Sequence, residues 1–282
     1  MKALVKTVIA LLLLFHCNLN AKDLPYKVYA VKFATSGYPF TAADWAKGGS
    51  KSEKVNITFS FWLIKSNNKK ILVDAGFEYD IEDAKEFKLT SYTRPDSALL
   101  PLNIHPEDIT DVIISHPHWD HIDGVNLFPK AHFWIQKDDY NYFVGKAWQK
   151  PLDIGGFAKR DVVKLVELNV SGRLTLVNGD NKEIFPGIHV YTGSKHTYGS
   201  QYVLVNSANR KIILASDNVW IYSNLEYMLP AAPGGTLDPV AYVNQMKRMK
   251  KMVPSDQYII PGHDEQVYKR FPLIKDKIAE LL

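Results

Sequence analysis

A chain of 282 residues, 46% of them hydrophobic and 12% aromatic, has ample material for a packed core and fits one large domain or two small ones. With 23% of residues charged, global disorder is excluded. The formal charge of +4 is small, and Lys and Arg are dispersed instead of clustering with aromatics, so nucleic acid is not expected as a partner.

Residues 1–21 differ from the rest. Lys2 and Lys6 give a basic start, Val8 to Phe15 is an unbroken apolar run, and Ala21 precedes a polar stretch. This is the layout of a secretory signal peptide, with an apolar run too short to span a bilayer. Cys17 has Leu14 three residues before it, but His16 stands where lipidation needs a small residue. Cleavage after Ala21 removes two lysines, so the charge falls from +4 to +2, and removes the only cysteine. The mature protein is thus expected to be periplasmic or secreted, without stable membrane insertion. It has neither disulfides nor thiolates, and any metal must be held by His and carboxylate.

Beyond the leader, short β-branched or aromatic runs bounded by Gly, Asn, Pro or Asp predict strands. They cover Val28–Phe33, Ile57–Ile64, Ile71–Asp74, Val112–Ser115, His132–Ile135, Leu174–Val177, His189–Tyr191, Tyr202–Val205, Lys211–Ala215 and Tyr258–Ile260. Asn67-Asn68 and Asn206–Arg210 read as hairpin turns. A helix is predicted to begin after Asp238 as N-cap with Pro239 in its first turn, carrying Val240, Val243, Met246, Met249 and Val253 at helical spacing and stopped by Pro254. Lys247, Arg248, Lys250 and Lys251 read as its solvated face. Lys137–Phe143 and Leu273–Leu282 are also expected to be helices. Strand pairs followed by strands alternating with helices predict sheets covered by helices, an α/β or α+β architecture. No linker divides residues 22–282, so one domain is expected.

The chemistry concentrates in Asp111-Val-Ile-Ile-Ser-His116-Pro-His118-Trp-Asp120-His121-Ile-Asp123-Gly124. A strand ending in a tight loop can aim His116, His118, Asp120 and His121 at one point, whereas a helix spreads side chains around its girth. Neutral imidazole and carboxylate are donors that zinc-like ions favour. Three further residues able to ligate follow apolar strands: His196 in Tyr191-Thr-Gly-Ser-Lys-His, Asp217 after Ile212-Ile-Leu-Ala-Ser, and His263 after Tyr258-Ile-Ile-Pro-Gly. Open α/β sheets place their sites at such strand ends. His105, His132 and His189 lack these contexts and read as structural or exposed.

The pattern His116-x-His118-x-Asp120-His121, then His196, Asp217 and His263 in that order, resembles the metallo-β-lactamase superfamily. The resemblance extends over nearly the whole mature chain, including Val73-Asp74-Ala75-Gly76. It implies a four-layer αβ/βα sandwich with the site at one edge of two facing sheets, and a cofactor of two divalent metal ions, zinc foremost. His116, His118 and His196 would hold the first ion, Asp120, His121 and His263 the second. Asp217 would bridge them, and Asp74 would steady a ligand from behind. Such a pair lowers the pKa of a shared water from about 15.7 to near 7. The implied reaction is attack of that hydroxide on a carbonyl carbon, with the oxyanion held by metal charge and Asp120 as proton acceptor or relay.

The small-molecule substrate is expected to be a lactone or acyl ester, N-acyl homoserine lactone first, because Ser194–Gln201, Ser216–Glu226, Gln136–Tyr140 and Pro261–Asp264 are similar to the lactonase branch. In that branch a tyrosine stands three residues after the bridging Asp. Here the position is Trp220, with a donor N–H but no phenol, and Tyr222 lies two residues further on. Each is either a catalytic group or an ordinary aromatic. Tyr140, Tyr142, Phe143 and Trp148 either line a pocket or fill the core. A periplasmic β-lactamase-type amide hydrolase is the enzymatic alternative, disfavoured because β-lactamases usually lack the bridging Asp. A glyoxalase-II-like thioesterase fits an exported protein poorly. A non-catalytic metal- or partner-binding protein on the same scaffold is the alternative of another class.

Overall fold

The computed structural model describes residues 26–149 and 155–282. The leader and Cys17 lie outside the described residues. Side-chain alternation along the strands accounts for the architecture. In β1 (Lys27–Thr35), Tyr29, Val31 and Phe33 enter one apolar cluster while Val28 and Ala30 enter another on the opposite face. In β2 (Thr58–Lys65), Phe59, Phe61 and Leu63 join the first cluster, Trp62 and Ile64 the second. The same division runs through β3 (Lys70–Val73), β5 (Asp111–Ile113) and β6 (His132–Gln136), so this sheet is buried on both faces. β4 (Ser91–Tyr92) and β7 (Leu174–Val177) add to it.

A second sheet comprises β8 (Lys182–Phe185), β9 (Ile188–Thr192), β10 (Gln201–Ser207), β11 (Arg210–Ser216) and β12 (Ile259–Pro261), in the order β12–β11–β10–β9–β8. Val203, Val205, Ile212 and Leu214 face the first sheet; Tyr202, Leu204, Ile213 and Ala215 face away. The larger sheet is completed by β13 (Leu273–Lys275) and β14 (Ile278–Glu280) and runs β13–β14–β1–β2–β3–β5–β6–β7, with β4 paired to β1. Its outer face is covered by helices Lys137–Phe143 and Lys159–Val170, through Tyr140, Phe143, Leu165 and Leu168. Helix Pro239–Met252 covers the second sheet through Tyr242, Met246 and Met249. The result is helix, sheet, sheet, helix: the expected sandwich. No helix among the described residues is long and apolar enough to cross a membrane.

All ten predicted strands are present, and both predicted turns join antiparallel neighbours, β2 to β3 and β10 to β11. Asp238 caps its helix, accepting from the amides of Val240 and Ala241. Among the cations of that helix, Arg248 pairs with Asp180 and Lys250 with Asp256. The expected helix at Leu273–Leu282 is instead a hairpin. Lys277 turns the chain with φ 62°, and Ile278 and Ala279 then enter opposite faces of the sheet beside β1. Burial of successive residues on opposite sides is a strand's period, and it overrides weak helical propensity. Helix Lys159–Val170 carries Val163, Val166 and Val170 on its exposed side as well as Leu165 and Leu168 inside, which blurs its apolar stripe.

β3, β5 and β6 are parallel, as are β11 and β12. The loops after β3, β5, β9, β11 and β12 carry the candidate residues to one edge of the sandwich.

Candidate metal centre

His116 stands three residues beyond β5. His118 is the N-cap of a short helix, Trp119–Ile122, whose first turn carries Asp120 and His121. The expected strand-to-loop arrangement therefore accounts for the first two histidines, and a single helical turn places the other pair. The residues gather in two groups whose donor atoms lie within 4.8 Å of one another: His116, His118, His196 and Asp217, and Asp120, His121 and His263.

In the first group, His196 Nε2 lies 3.1 Å from His116 Nε2 and 3.0 Å from His118 Nδ1. In the second, Asp120 Oδ2 lies 3.3 Å from His121 Nε2 and 3.5 Å from His263 Nε2. Asp217 stands between them. Its Oδ2 is 3.2 Å from His196 Nε2, while its Oδ1 is 3.0 Å from His263 Nε2 and 3.3 Å from His121 Nε2.

The outward nitrogens fix the tautomers. His196 Nδ1–H donates to the Gly235 carbonyl (2.7 Å), His263 Nδ1–H to the Thr58 carbonyl (3.1 Å), and His121 Nδ1–H to Asp74 Oδ2 (2.8 Å). Ser115 Oγ donates to Asp74 Oδ2 and so accepts from His116 Nδ1 at 2.8 Å. Each bond leaves Nε2 as the nitrogen turned inward, the arrangement metal-ligating histidines use. Lone pairs facing one another at such distances repel unless a cation lies between them. Tetrahedral imidazoles around a zinc-sized ion stand about 3.3 Å apart, close to the spacing in the first group. His121 Nε2 and Asp217 Oδ1 are buried with no hydrogen-bond partner, a costly state that a cation between them would relieve. The residues fit two divalent ions.

The groups differ electrically. Burial holds His116 well below the ordinary imidazole range, and neighbouring His121 and His196 add to this; burial and His196 push His118 down to about 3. For His121 burial acts the same way, but Asp120, Asp217 and Asp74 outweigh it and carry the imidazole well above its usual value. His263 is likewise raised, by Asp217 and Asp120 against burial. Burial would raise Asp217, but His263, His121 and His196 hold it well below the carboxylate range.

The supports behind these ligands come largely from residues the motif did not single out. Asp74 was anticipated, and it accepts from the Ser115 amide at 2.7 Å and from Ser216 Oγ at 3.0 Å. Asn218 Oδ1 accepts from the Ser194 amide at 2.7 Å and from Ser200 Oγ at 3.1 Å, and its amide donates to the Gln201 and Ala215 carbonyls. Asp139, fully buried, accepts from Thr197 Oγ1 at 2.6 Å and the Gly199 amide at 2.7 Å, which anchors the His196 loop. Asp74, Lys195 and Ser216 adopt φ values of 68°, 59° and 47°, strain that a site this cross-linked can sustain. Gly262 precedes His263 because a Cβ there would stand 2.6 Å from Asp217 Oδ1.

A cavity of ≈ 620 Å³ opens over both groups; His118, Asp120, His196, Asp217 and His263 reach its surface, and Tyr38, Phe40, Trp45, Phe87 and Trp220 form much of its wall. Trp220 Nε1 donates to Asp217 Oδ2 at 2.7 Å, so its donor is engaged by the carboxylate and is not free for a substrate. Tyr222 is a correction. It begins helix Tyr222–Tyr227, is 1% exposed within the cluster between the sheets, and carries the Arg270 guanidinium 3.6 Å from its ring centroid. It does not line the cavity, because the chain turns into the helix after Trp220 and carries the phenol inward. Tyr140, Phe143 and Trp148 pack with the outer core, which closes the pocket option for them. His132 bonds Thr175 and His189 lies 3.6 Å from Glu183, both away from the centre.

Residues 60–263 match the model of the metallo-beta-lactamase superfamily. An N-acyl homoserine lactonase of Bacillus thuringiensis is 25% identical over 224 residues, covering 74% of this chain and 82% of its own. N-acyl homoserine lactonase AiiB of Rhizobium rhizogenes is 25% identical over 236 residues, covering 77% and 83%. A solved N-acyl homoserine lactone hydrolase, with N-hexanoyl-L-homoserine at its catalytic metal centre, superposes with TM-score 0.70 at 18% identity over 89% of this chain and 98% of that one. With its sandwich, its two donor groups and these similarities, the chain belongs to the metallo-β-lactamase superfamily, in the lactonase-like branch, and is a metal-dependent hydrolase.

Proposed function

We propose that the chain is a two-zinc hydrolase that opens a lactone or acyl ester, with N-acyl homoserine lactones its favoured substrates, and that it works outside the cytoplasm after loss of residues 1–21. The observation that carries this is Asp217, whose two oxygens face two different groups of imidazoles beneath an aromatic-walled cavity. The named lactonases to which the chain is similar over most of its length support the substrate class. The exported location draws support from the leader's composition alone.

Two bound zinc ions supply Lewis acidity and an acidified water. The chain's own residues do the rest. His116, His118 and His196 offer three imidazoles, Asp120, His121 and His263 two imidazoles and a carboxylate, and Asp217 ties the two. Hydrolysis adds the water oxygen to the acyl carbon, breaks the acyl C–O bond and places a proton on the departing alkoxide. Asp120, at the cavity surface beside His121 and His263, is the carboxylate we assign to take the water's proton and hand it to that alkoxide. The aromatic wall excludes water and receives the apolar part of the substrate. No phenol takes part from position 220 or 222.

Purified protein of known metal content should be assayed against N-acyl homoserine lactones of varied chain length, β-lactams and thioesters. Lactone opening, stopped by a chelator and restored by zinc, is the expected result. Turnover of β-lactams or thioesters with none of lactones would overturn the substrate assignment. N-terminal sequencing of the protein recovered outside the cytoplasm should begin at Lys22; a retained Met1 would contradict export by cleavage.

A further inference from the structure

Trp220 occupies the position that prompted comparison with a catalytic tyrosine, yet its hydrogen bond points elsewhere. We propose that Trp220 is a positioning residue: its indole N–H fixes which oxygen of Asp217 faces which group of imidazoles, and so makes the two metal sites unequal. This deepens the two-metal reading above and rests on it.

Asp217 Oδ2 receives the Trp220 donor at 2.7 Å, whereas the buried Oδ1 has no hydrogen-bond partner. A carboxylate free to flip about its Cβ–Cγ bond would exchange the two oxygens; the indole bond distinguishes them. The indole is itself held in place. Its backbone amide donates to Tyr242 Oη at 3.0 Å, its carbonyl accepts from the His263 amide at 2.9 Å, and its ring meets Trp45 edge-on with centroids 5.0 Å apart. Gly235 supplies the remaining wall: a Cβ there would lie 2.0 Å from the Trp220 ring, so only glycine leaves room. The Gly235 carbonyl is also the acceptor for His196 Nδ1–H. One residue contact thus couples the orientation of a first-group imidazole to that of the bridging carboxylate.

A donor on one carboxylate oxygen draws charge from it and makes it the weaker base. Oδ2, facing His116 and His196, is the weakened oxygen. Oδ1, facing His121 and His263, keeps its full basicity and adds to the charge of Asp120. An ion in the first group would be held by three imidazoles and the poorer oxygen, one in the second by two carboxylates and two imidazoles. The second site would bind the more tightly, and the first would be the more electrophilic.

Trp220→Phe keeps an aromatic ring and removes the N–H. Chelator competition with zinc should resolve two affinities in the native protein. In the variant the gap between the two affinities should be lost, shrinking by about tenfold or more, the range seen when the partner behind a ligand is changed. Metal-free thermal unfolding should stay close to native, and the visible spectrum of the cobalt-loaded protein should change. Trp45→Phe disturbs the same aromatic contact, and the ring beside His263, but leaves the Asp217 bond, so it should keep the native gap between the two affinities. If Trp220→Phe folds poorly, benzothienylalanine at 220, which retains the bicyclic outline without an N–H, should show the same loss. A native gap in the Phe or benzothienyl protein, or an equal loss in Trp45→Phe, would overturn the proposal. These readouts do not depend on any substrate, so they remain decisive even if lactones are not hydrolysed.

Discussion

On the floor of the cavity, seven side chains from the ends of strands in both sheets are held so tightly that four of the five histidines have their outward nitrogen committed to a specific oxygen. On the wall, Tyr38, Phe40, Trp45 and Phe87 come from the segments after β1 and before β4; Phe40 packs on the other three, and Trp45 and Phe87 also pack on Trp220, His263, Phe59 and Trp119. The floor is polar, buried and cross-linked, so a lost partner there strands a buried charge or lone pair. The wall is apolar and partly open, so a lost ring there costs contact area. Reaction type is therefore built into the rigid floor, and substrate preference into the replaceable wall.

The difference gives a graded set of expectations. Asp217→Ala removes the carboxylate shared by both groups. Metal analysis should show loss of bound zinc, and turnover should fall at least about a hundredfold, with the fold retained by circular dichroism. Native turnover in this variant would remove the bridging role and the contrast with it.

Next in size is a support of the floor. Burial raises the Asp139 carboxyl to about 6, against the opposing bonds from Thr197 and Gly199. A carboxyl raised above its unfolded value contributes stability that is fully present below about 4 and is lost as pH rises through about 6. In the metal-free protein, raising pH from 4 to 7 should therefore cost the wild type about 2–3 kcal/mol more than Asp139→Asn, measured by denaturant unfolding at each pH. Parallel pH curves for the two proteins would show that the carboxyl is not held neutral.

On the wall, Phe40→Ala should leave two metals per chain and a nearly native kcat, while KM for a long-chain acyl lactone rises about tenfold, the worth of one lost aromatic contact. A drop in metal content here would blur floor and wall. Smallest are the histidines outside the site: His132→Gln and His189→Gln should change stability by no more than about 0.5 kcal/mol and metal content not at all.

Legibility in the sequence followed the same division. The floor could be read because each ligand follows an apolar strand at its C-terminal end, and such ends converge in parallel-stranded layers. The layers themselves could be read because the strands are short β-branched or aromatic runs bounded by turn residues. Asn218 and Asp139 lie in the stretches Ser216–Glu226 and Gln136–Tyr140, but their bracing role is not legible because a polar residue beside a loop looks the same whether it staples two ligand loops or faces water. Tyr222 misled because a count of residues past Asp217 does not reveal that the chain enters a helix and carries the phenol between the sheets. Tyr140–Trp148 could be read either as wall or as core, and the wall lies instead in Tyr38–Trp45 and Phe87, brought in by the pairing of β1 with β2 and β4. Local pattern carries no record of such long-range closure.

The most direct test of the two-group centre is anomalous diffraction at the zinc edge from crystals of the native protein grown with zinc. Two peaks on either side of the Asp217 carboxylate, one among His116, His118 and His196 and the other among Asp120, His121 and His263, are the expected result. A single peak, or a second one away from Asp217, would contradict it.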